Sequence, residues 1–145
     1  MSSSMEYSSF VEPTSNTLLS TKLGIVAGTT LVVLHAPQSL SLELPPDVVA
    51  THRTRNHANV VVTFVTNRVD LANELAKLGQ MIYPAGGLWI AWPKKSAGIA
   101  STVSDDVVRE LALPMGLVDN KVCAIDATWT GLRLVWRRSV RRDDK

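Results

Sequence analysis

Gly86-Gly87-Leu88-Trp89-Ile90-Ala91-Trp92-Pro93-Lys94-Lys95-Ser96 is the stretch from which the fold is read. Two glycines turn the chain, an unbroken apolar run follows, and Pro93 stops it beside two lysines. A strand that is apolar at every position has no solvent face, so it belongs inside a sheet covered on both sides. Trp89 and Trp92 lie an odd number of residues apart and point to opposite faces, one toward each covering layer.

Upstream of that strand, Leu71, Leu75, Leu78 and Ile82 recur at i, i+4, i+7 and i+11, the single apolar stripe of a helix. Arg68, Glu74 and Lys77 fall off the stripe. Asn67 caps this helix, and Asp70 lies in its first turn, where the dipole favours a carboxylate. Val60-Val61-Val62-Thr63-Phe64-Val65, before it, is a buried β-branched strand. Further upstream, Thr29-Thr30-Leu31-Val32-Val33-Leu34 is the first core strand, and Val48-Val49-Ala50-Thr51 is a weaker one near an edge. A short helix is expected over residues 16–24, capped by Asn16, and another over 37–44, begun by Pro37.

Downstream, Ser104 caps a helix whose first turn holds Asp105 and Asp106 and whose end is marked by Pro114 and Gly116. Residues 121–128 are expected as a strand and 128–131 as a turn. Residues 132–137 alternate as a half-exposed antiparallel strand does.

The chain has 145 residues, 46% hydrophobic and 19% charged, the composition of an ordinary globular protein with one core. No apolar run approaches the roughly 20 residues of a membrane helix, so no membrane partner is expected. No basic stretch leads an apolar one at the N-terminus, and a cytoplasmic location is the expectation. Cys123 is the single cysteine. Flanked by Val122 and Ala124, it is expected in the core rather than as a nucleophile. His35, His52 and His57 lack metal-ligand spacing, so no metal is expected. The net charge of +2 is uneven. Residues 133–145 carry six basic and two acidic side chains, +4, which leaves −2 for the rest. The expected layout is a flexible segment over 1–15, one domain over 16–137 and a loose basic tail over 138–145.

Buried strands alternating with amphipathic helices imply an α/β fold: a Rossmann-like, doubly wound, mostly parallel sheet ending in an antiparallel hairpin. The closing helix, strand and hairpin, with the turn Pro84-Ala85-Gly86-Gly87-Leu88-Trp89-Ile90, resemble the class I S-adenosylmethionine-dependent methyltransferase fold. The departure is after the first strand. Where that resemblance implies a glycine-rich, acidic cofactor loop, this chain has His35-Ala36-Pro37-Gln38, and no glycine occurs between Gly28 and Gly79. The resemblance therefore implies the fold and no conventional cofactor site. A second resemblance spans about residues 19–135. The strings Gly87-Leu88-Trp89-Ile90-Ala91-Trp92-Pro93-Lys94-Lys95 and Gly116-Leu117-Val118-Asp119-Asn120-Lys121-Val122-Cys123-Ala124-Ile125-Asp126 are similar to the core of a domain of unknown function in short, mainly actinobacterial proteins. It implies a fold and no activity.

Ligands of open parallel sheets bind at the carboxyl ends of the strands. That rule gathers His35, Gln38, Thr66, Asn67, Lys94, Lys95 and Ser96 on one rim, with Asp126 nearby in the hairpin. Lys94 and Lys95 could hold a phosphate or carboxylate, or simply be solvated. Asp126 could work with Lys94, or organise the turn that follows it. Asp119-Asn120-Lys121 is expected as a turn at the opposite end. The leading expectation is a binding or regulatory protein without a cofactor, recognising a small anionic ligand or a protein partner. One alternative is a nucleic-acid regulator using Arg137, Arg138, Arg141 and Arg142, although no aromatic platform accompanies them. The other is an enzyme built on Lys94 and Asp126.

Overall fold

The structure, a computed structural model, describes residues 18–142, with side chains as far as Val140. Among these residues six strands form one sheet: β1 (Leu31–Leu34), β2 (Ala50–Thr51), β3 (Val60–Phe64), β4 (Gly87–Pro93), β5 (Leu117–Ala124) and β6 (Trp129–Trp136). Their order is β2-β1-β3-β4-β6-β5. The first four run parallel, and β6 lies antiparallel between β4 and β5. This is the mostly parallel α/β sheet with an antiparallel end that the alternation of elements implies. From β1 the chain crosses to β2 on one side and then returns to β3 on the other. The switch point of the sheet is therefore the crevice between β1 and β3.

β4 is buried at all seven positions and forms the floor for both layers. Its two tryptophans separate as their spacing requires. Trp92 belongs to the core cluster that holds Leu71, Leu75 and Val108, while Trp89 belongs to the one that holds Leu23, Leu31 and Ile125. The first face is covered by α2 (Arg68–Ile82) and α3 (Asp105–Ala112). Leu71, Leu75, Leu78 and Ile82 are all buried there, each worth about 1.5–3 kcal/mol in apolar area removed from water.

The second face is thinner than expected. Among the described residues only α1 (Leu19–Lys22) is helical on it, and the expected helix over residues 37–44 is absent. Leu40, Leu42 and Leu44 instead pack side by side on the sheet, with polar residues between them exposed. That is the period of extended chain, since a helix would turn Leu42 away from Leu40 and Leu44. Asn16, the expected cap of the first helix, lies outside the described residues.

The closing hairpin is also longer than expected. β5 begins at Leu117 and includes Asp119, Asn120 and Lys121, which are not a turn. A bulge between Asp119 and Lys121 absorbs the irregularity. Residues 125–128 make the turn, and Trp129 to Gly131 already belong to β6. Cys123 is half-buried on the outer strand β5, not in the core. The expectation of a loose tail fails for residues 138–142. These form α4 (Arg138–Arg142), fastened where the Tyr83 hydroxyl donates to the Val140 carbonyl. Among the described residues no helix is long and apolar enough to cross a membrane.

Candidate functional site

β1 and β3 end at Leu34 and Phe64, the polar residues His35 and Thr66 follow them at the switch point, and a cleft of about 420 Å³ opens there. It is lined by His35, Phe64, Val65, Thr66, Asp70, Glu74 and Trp129. Each side chain is positioned by a specific element. Phe64 ends β3 and meets Trp129, which begins β6, edge to face at 5.2 Å between centroids. That pair forms an aromatic wall. Asp70 and Glu74 project from α2 one helical turn apart. Glu74 accepts a 2.9 Å hydrogen bond from the Thr63 hydroxyl, whose residue is fully buried in β3.

His35 immediately follows β1 and has φ 59°, the only non-glycine residue among those described in the left-handed region. Such a backbone costs an L-residue about 1–3 kcal/mol and persists only where surroundings impose it. Its Nε2 lies 3.4 Å from Glu74 Oε2, and since a carboxylate only accepts, the nitrogen is the donor. Thr63, Glu74 and His35 thus form a chain that leads from the core to the cleft mouth. His52, after β2, turns away: its Nδ1 donates to the Val33 carbonyl at 3.0 Å.

The amino end of α2 abuts the cleft, yet its first-turn amides are already engaged. Asn67 Oδ1 accepts from the amides of Val69 and Asp70 at 2.8 and 3.2 Å. Thr102 Oγ1 accepts from the Arg68 amide at 2.7 Å. The Arg68 guanidinium then pairs with both Glu110 oxygens, at 3.2 and 3.0 Å, tying α2 to α3. That contact holds the Glu110 carboxyl below its usual range and pushes Arg68 up. A helix start that would otherwise attract an anion is filled by the chain's own oxygens.

The structure disperses the remaining expected rim residues. Asn67 is a helix cap. Lys94 joins the rim through its backbone, whose amide donates to the Thr128 carbonyl at 2.8 Å. Lys95 and Ser96 fall in a short 3-10 turn, Lys95–Ala97, and neither lysine lines the cleft. Asp126 Oδ1 accepts from the amides of Thr128 and Trp129, both at 2.8 Å, and so organises the hairpin turn. Of the expected set, His35 and Thr66 meet in the cleft. Glu74, the residue that links His35 to the core, was set aside in the sequence as lying off the apolar stripe of α2. Its signal was Asp70, four residues earlier on the same face of a helix that starts at the rim.

Of the basic tail, Arg137 donates from Nη2 to the Leu113 carbonyl at 3.0 Å. The side chains of Arg141 and Arg142 lie outside the described ones. No three of the described His, Cys, Asp and Glu side chains gather as metal ligands would.

No family model matches the chain, and no curated protein matches it. Its likenesses are to solved structures. A SAM dependent methyltransferase from Aquifex aeolicus superposes with a TM-score of 0.51 and 11% identity, covering 79% of this chain and 85% of that one. A possible exported protein from Bordetella parapertussis gives 0.53 and 8%, covering 82% of this chain and 65% of that one. A LepI variant in complex with SAH and a substrate analogue gives 0.52 and 10%, with 82% of this chain matching only 39% of its own length. At these identities the likeness is one of fold. The architecture is methyltransferase-like.

Proposed function

We propose that this protein is a binding or regulatory module on a methyltransferase-like scaffold. Its ligand is a small molecule of about nucleoside size that presents hydroxyl or amine donors to the switch-point cleft. The observation that carries the reading is His35. A histidine held in a strained left-handed backbone at the end of β1, with its imidazole against Glu74, marks a position kept for contact with a ligand. The lining supports donors over anions, because Asp70 and Glu74 are acceptors and the neighbouring helix amides are occupied. Phe64 and Trp129 offer an apolar wall for the flat part of such a molecule. The small anionic ligand expected at Lys94 and Lys95 is thus replaced by a ligand of opposite character at His35 and Glu74.

A thermal-shift panel at neutral pH tests this. It compares adenosine, S-adenosylmethionine, SAH, a simple diamine, and phosphorylated sugars and nucleotides. A donor-bearing ligand at 100 times its Kd should stabilise by about 2.7 kcal/mol, which is a rise of roughly 5–10 °C in Tm at this chain length. Glu74→Gln should weaken that ligand at least tenfold. Binding confined to the phosphorylated compounds, or binding indifferent to Glu74→Gln, refutes the reading. S-adenosylmethionine carries both an ammonium group and ribose hydroxyls. Micromolar affinity for it would overturn the expectation that no conventional cofactor site exists.

A further inference from the structure

Arg133 is half-buried in the middle of β6, beside Trp89 of β4, and no hydrogen bond or ion pair engages its guanidinium among the described residues. Burial pushes its pKa down, and no carboxylate among the described residues pairs with it to oppose that shift. The side chain folds against the start of β4. It lies across Gly87, where a Cβ would fall 2.6 Å from Nη2 and 2.7 Å from Cζ, which explains a glycine at the first position of β4. An unpaired cation withdrawn from water is costly, and a chain gains nothing in stability by positioning one so closely.

The guanidinium opens onto a separate cleft of about 380 Å³ at the amino ends of β3 and β4, the opposite edge of the sheet from His35. Thr29 and Asn59 also line it, and both have their oxygens occupied by backbone. Thr29 Oγ1 accepts from the Val26 amide at 3.0 Å, which leaves its hydrogen to donate. Asn59 Oδ1 accepts from the Thr30 amide at 2.7 Å, which leaves Nδ2 without a partner among the described residues. Gly24 and Gly28, both with positive φ, keep the adjoining loop free of side chains. Asp47 binds the Gly28 amide at 2.8 Å but does not line the cleft. The polar side chains of the wall are therefore donors, and no acid is among them.

We infer that this amino-edge cleft is a second binding site, independent of the first, that takes the oxyanion of a small molecule, a carboxylate or phosphate group, on Arg133. The planar guanidinium engages two oxygens of such a group at once, with Asn59 Nδ2 and the Thr29 hydroxyl completing the donor set.

The test follows the side-chain Nε–Hε signals of ¹⁵N-labelled protein during titration at constant ionic strength. One arm uses inorganic phosphate and the other succinate. The Arg133 signal should shift saturably in at least one arm, while those of Arg53 and Arg55, on an exposed loop, move little. The tighter arm identifies the oxyanion. Arg133→Gln should weaken binding at least tenfold, and Arg133→Lys, which keeps the charge without the fork, should be intermediate. Arg133→Gln should also keep or raise Tm, because it removes an unpaired buried charge. The inference is overturned if Arg133 shifts no more than Arg53, if Arg133→Gln retains affinity within twofold, or if both Arg133→Gln and Arg133→Lys lower Tm by more than about 5 °C, which would make the residue structural.

Discussion

Substitution of His35 separates strain from packing. At φ 59° the histidine sits where a residue with a Cβ loses roughly 1–2 kcal/mol. Histidine belongs to the small set that visits this region more often than most, so the lower end applies. Glycine escapes that cost, but its freer unfolded chain takes back about 0.4–1 kcal/mol. The contact with Glu74 is long, at 3.4 Å, and the imidazole is 59% exposed, so it contributes less than about 1 kcal/mol. These terms place His35→Gly within about 1 kcal/mol of the wild type. His35→Ala loses the contact as glycine does but keeps the strain, which exceeds glycine's unfolded-state term, so it should fall below the glycine variant by up to about 1 kcal/mol. His35→Val adds a β-branched side chain to the same backbone and should fall lower still.

Urea denaturation with a common m-value ranks the three, and each kcal/mol corresponds to about 2–4 °C in Tm for a chain near this size. The expected order is Gly, Ala, Val from most to least stable. Ligand binding in the cleft should be weakened at least tenfold in all three alike. Stability that varies while binding is uniformly lost is the signature of a strained residue kept for contact. An alanine variant at least as stable as the glycine one would show that residue 35 is not held left-handed in solution, and the argument from strain would fail.

Four further outcomes follow from particular residues. Gly87→Ala should cost no more than about 1 kcal/mol, because the guanidinium its Cβ would meet ends a flexible side chain and can swing aside, and Arg133→Ala in the same chain should remove that cost. Gly86→Ala should resist any such rescue, because its Cβ would meet the carbonyl oxygens of Asn59 and Ile82 at 2.8 and 2.9 Å, and backbone cannot step aside. Glu110, held below its usual pKa by Arg68, contributes stability above the unfolded carboxyl value of about 4.3, and loses it as pH falls through the folded value. Wild type should therefore lose its advantage over Glu110→Gln between pH 6 and pH 3 in matched melts, and an unchanged gap would contradict the pairing. Burial pushes the Cys123 thiol up, with Lys22 and Lys121 only partly opposing it. Iodoacetamide at pH 7.5 should modify it several-fold more slowly than a cysteine in an unfolded peptide, and equal rates would argue against that environment.

The parts of the fold legible in the sequence are those where one signal dominates. β3 and β4 are apolar on both faces, and α2 carries four aliphatic residues at helical spacing under an Asn67 cap, so each is fixed by its own pattern. The segment over residues 37–44 held two signals that disagreed. Pro37 suited a helix start, while Leu40, Leu42 and Leu44 alternated as extended chain, and the side-chain period prevailed because the sheet face needed covering. Asp119-Asn120 has turn chemistry, yet β6 offers partners to Asp119 and Lys121, and a bulge accommodates Asn120 between them. At the site the rim was legible from strand order alone. The backbone of His35 was not, since the left-handed region is normally announced by glycine. Arg133 was legible only as a charge, because its isolation depends on which acids fail to reach it.

The two edges of the sheet carry opposite chemistry, and α2 explains why. In a parallel α/β sheet the helix starts face the carboxyl edge, where their amides and dipoles ordinarily make it the edge that attracts anions. Here Asn67 and Thr102 consume those amides, and Asp70 and Glu74 follow within the next turns. The edge is thereby turned into an acceptor surface, suited to donors. Among the described residues no acid lines the amino-edge cleft, and it receives the one guanidinium that the sheet half-buries without a partner. A single substitution tests whether the inversion is real. Asn67→Ala should cost about 1 kcal/mol in stability and free two amides at the first cleft, so phosphate should begin to bind there while Arg133 remains unaffected. Phosphate binding unchanged at both edges would mean that capping does not set the sign of the carboxyl edge.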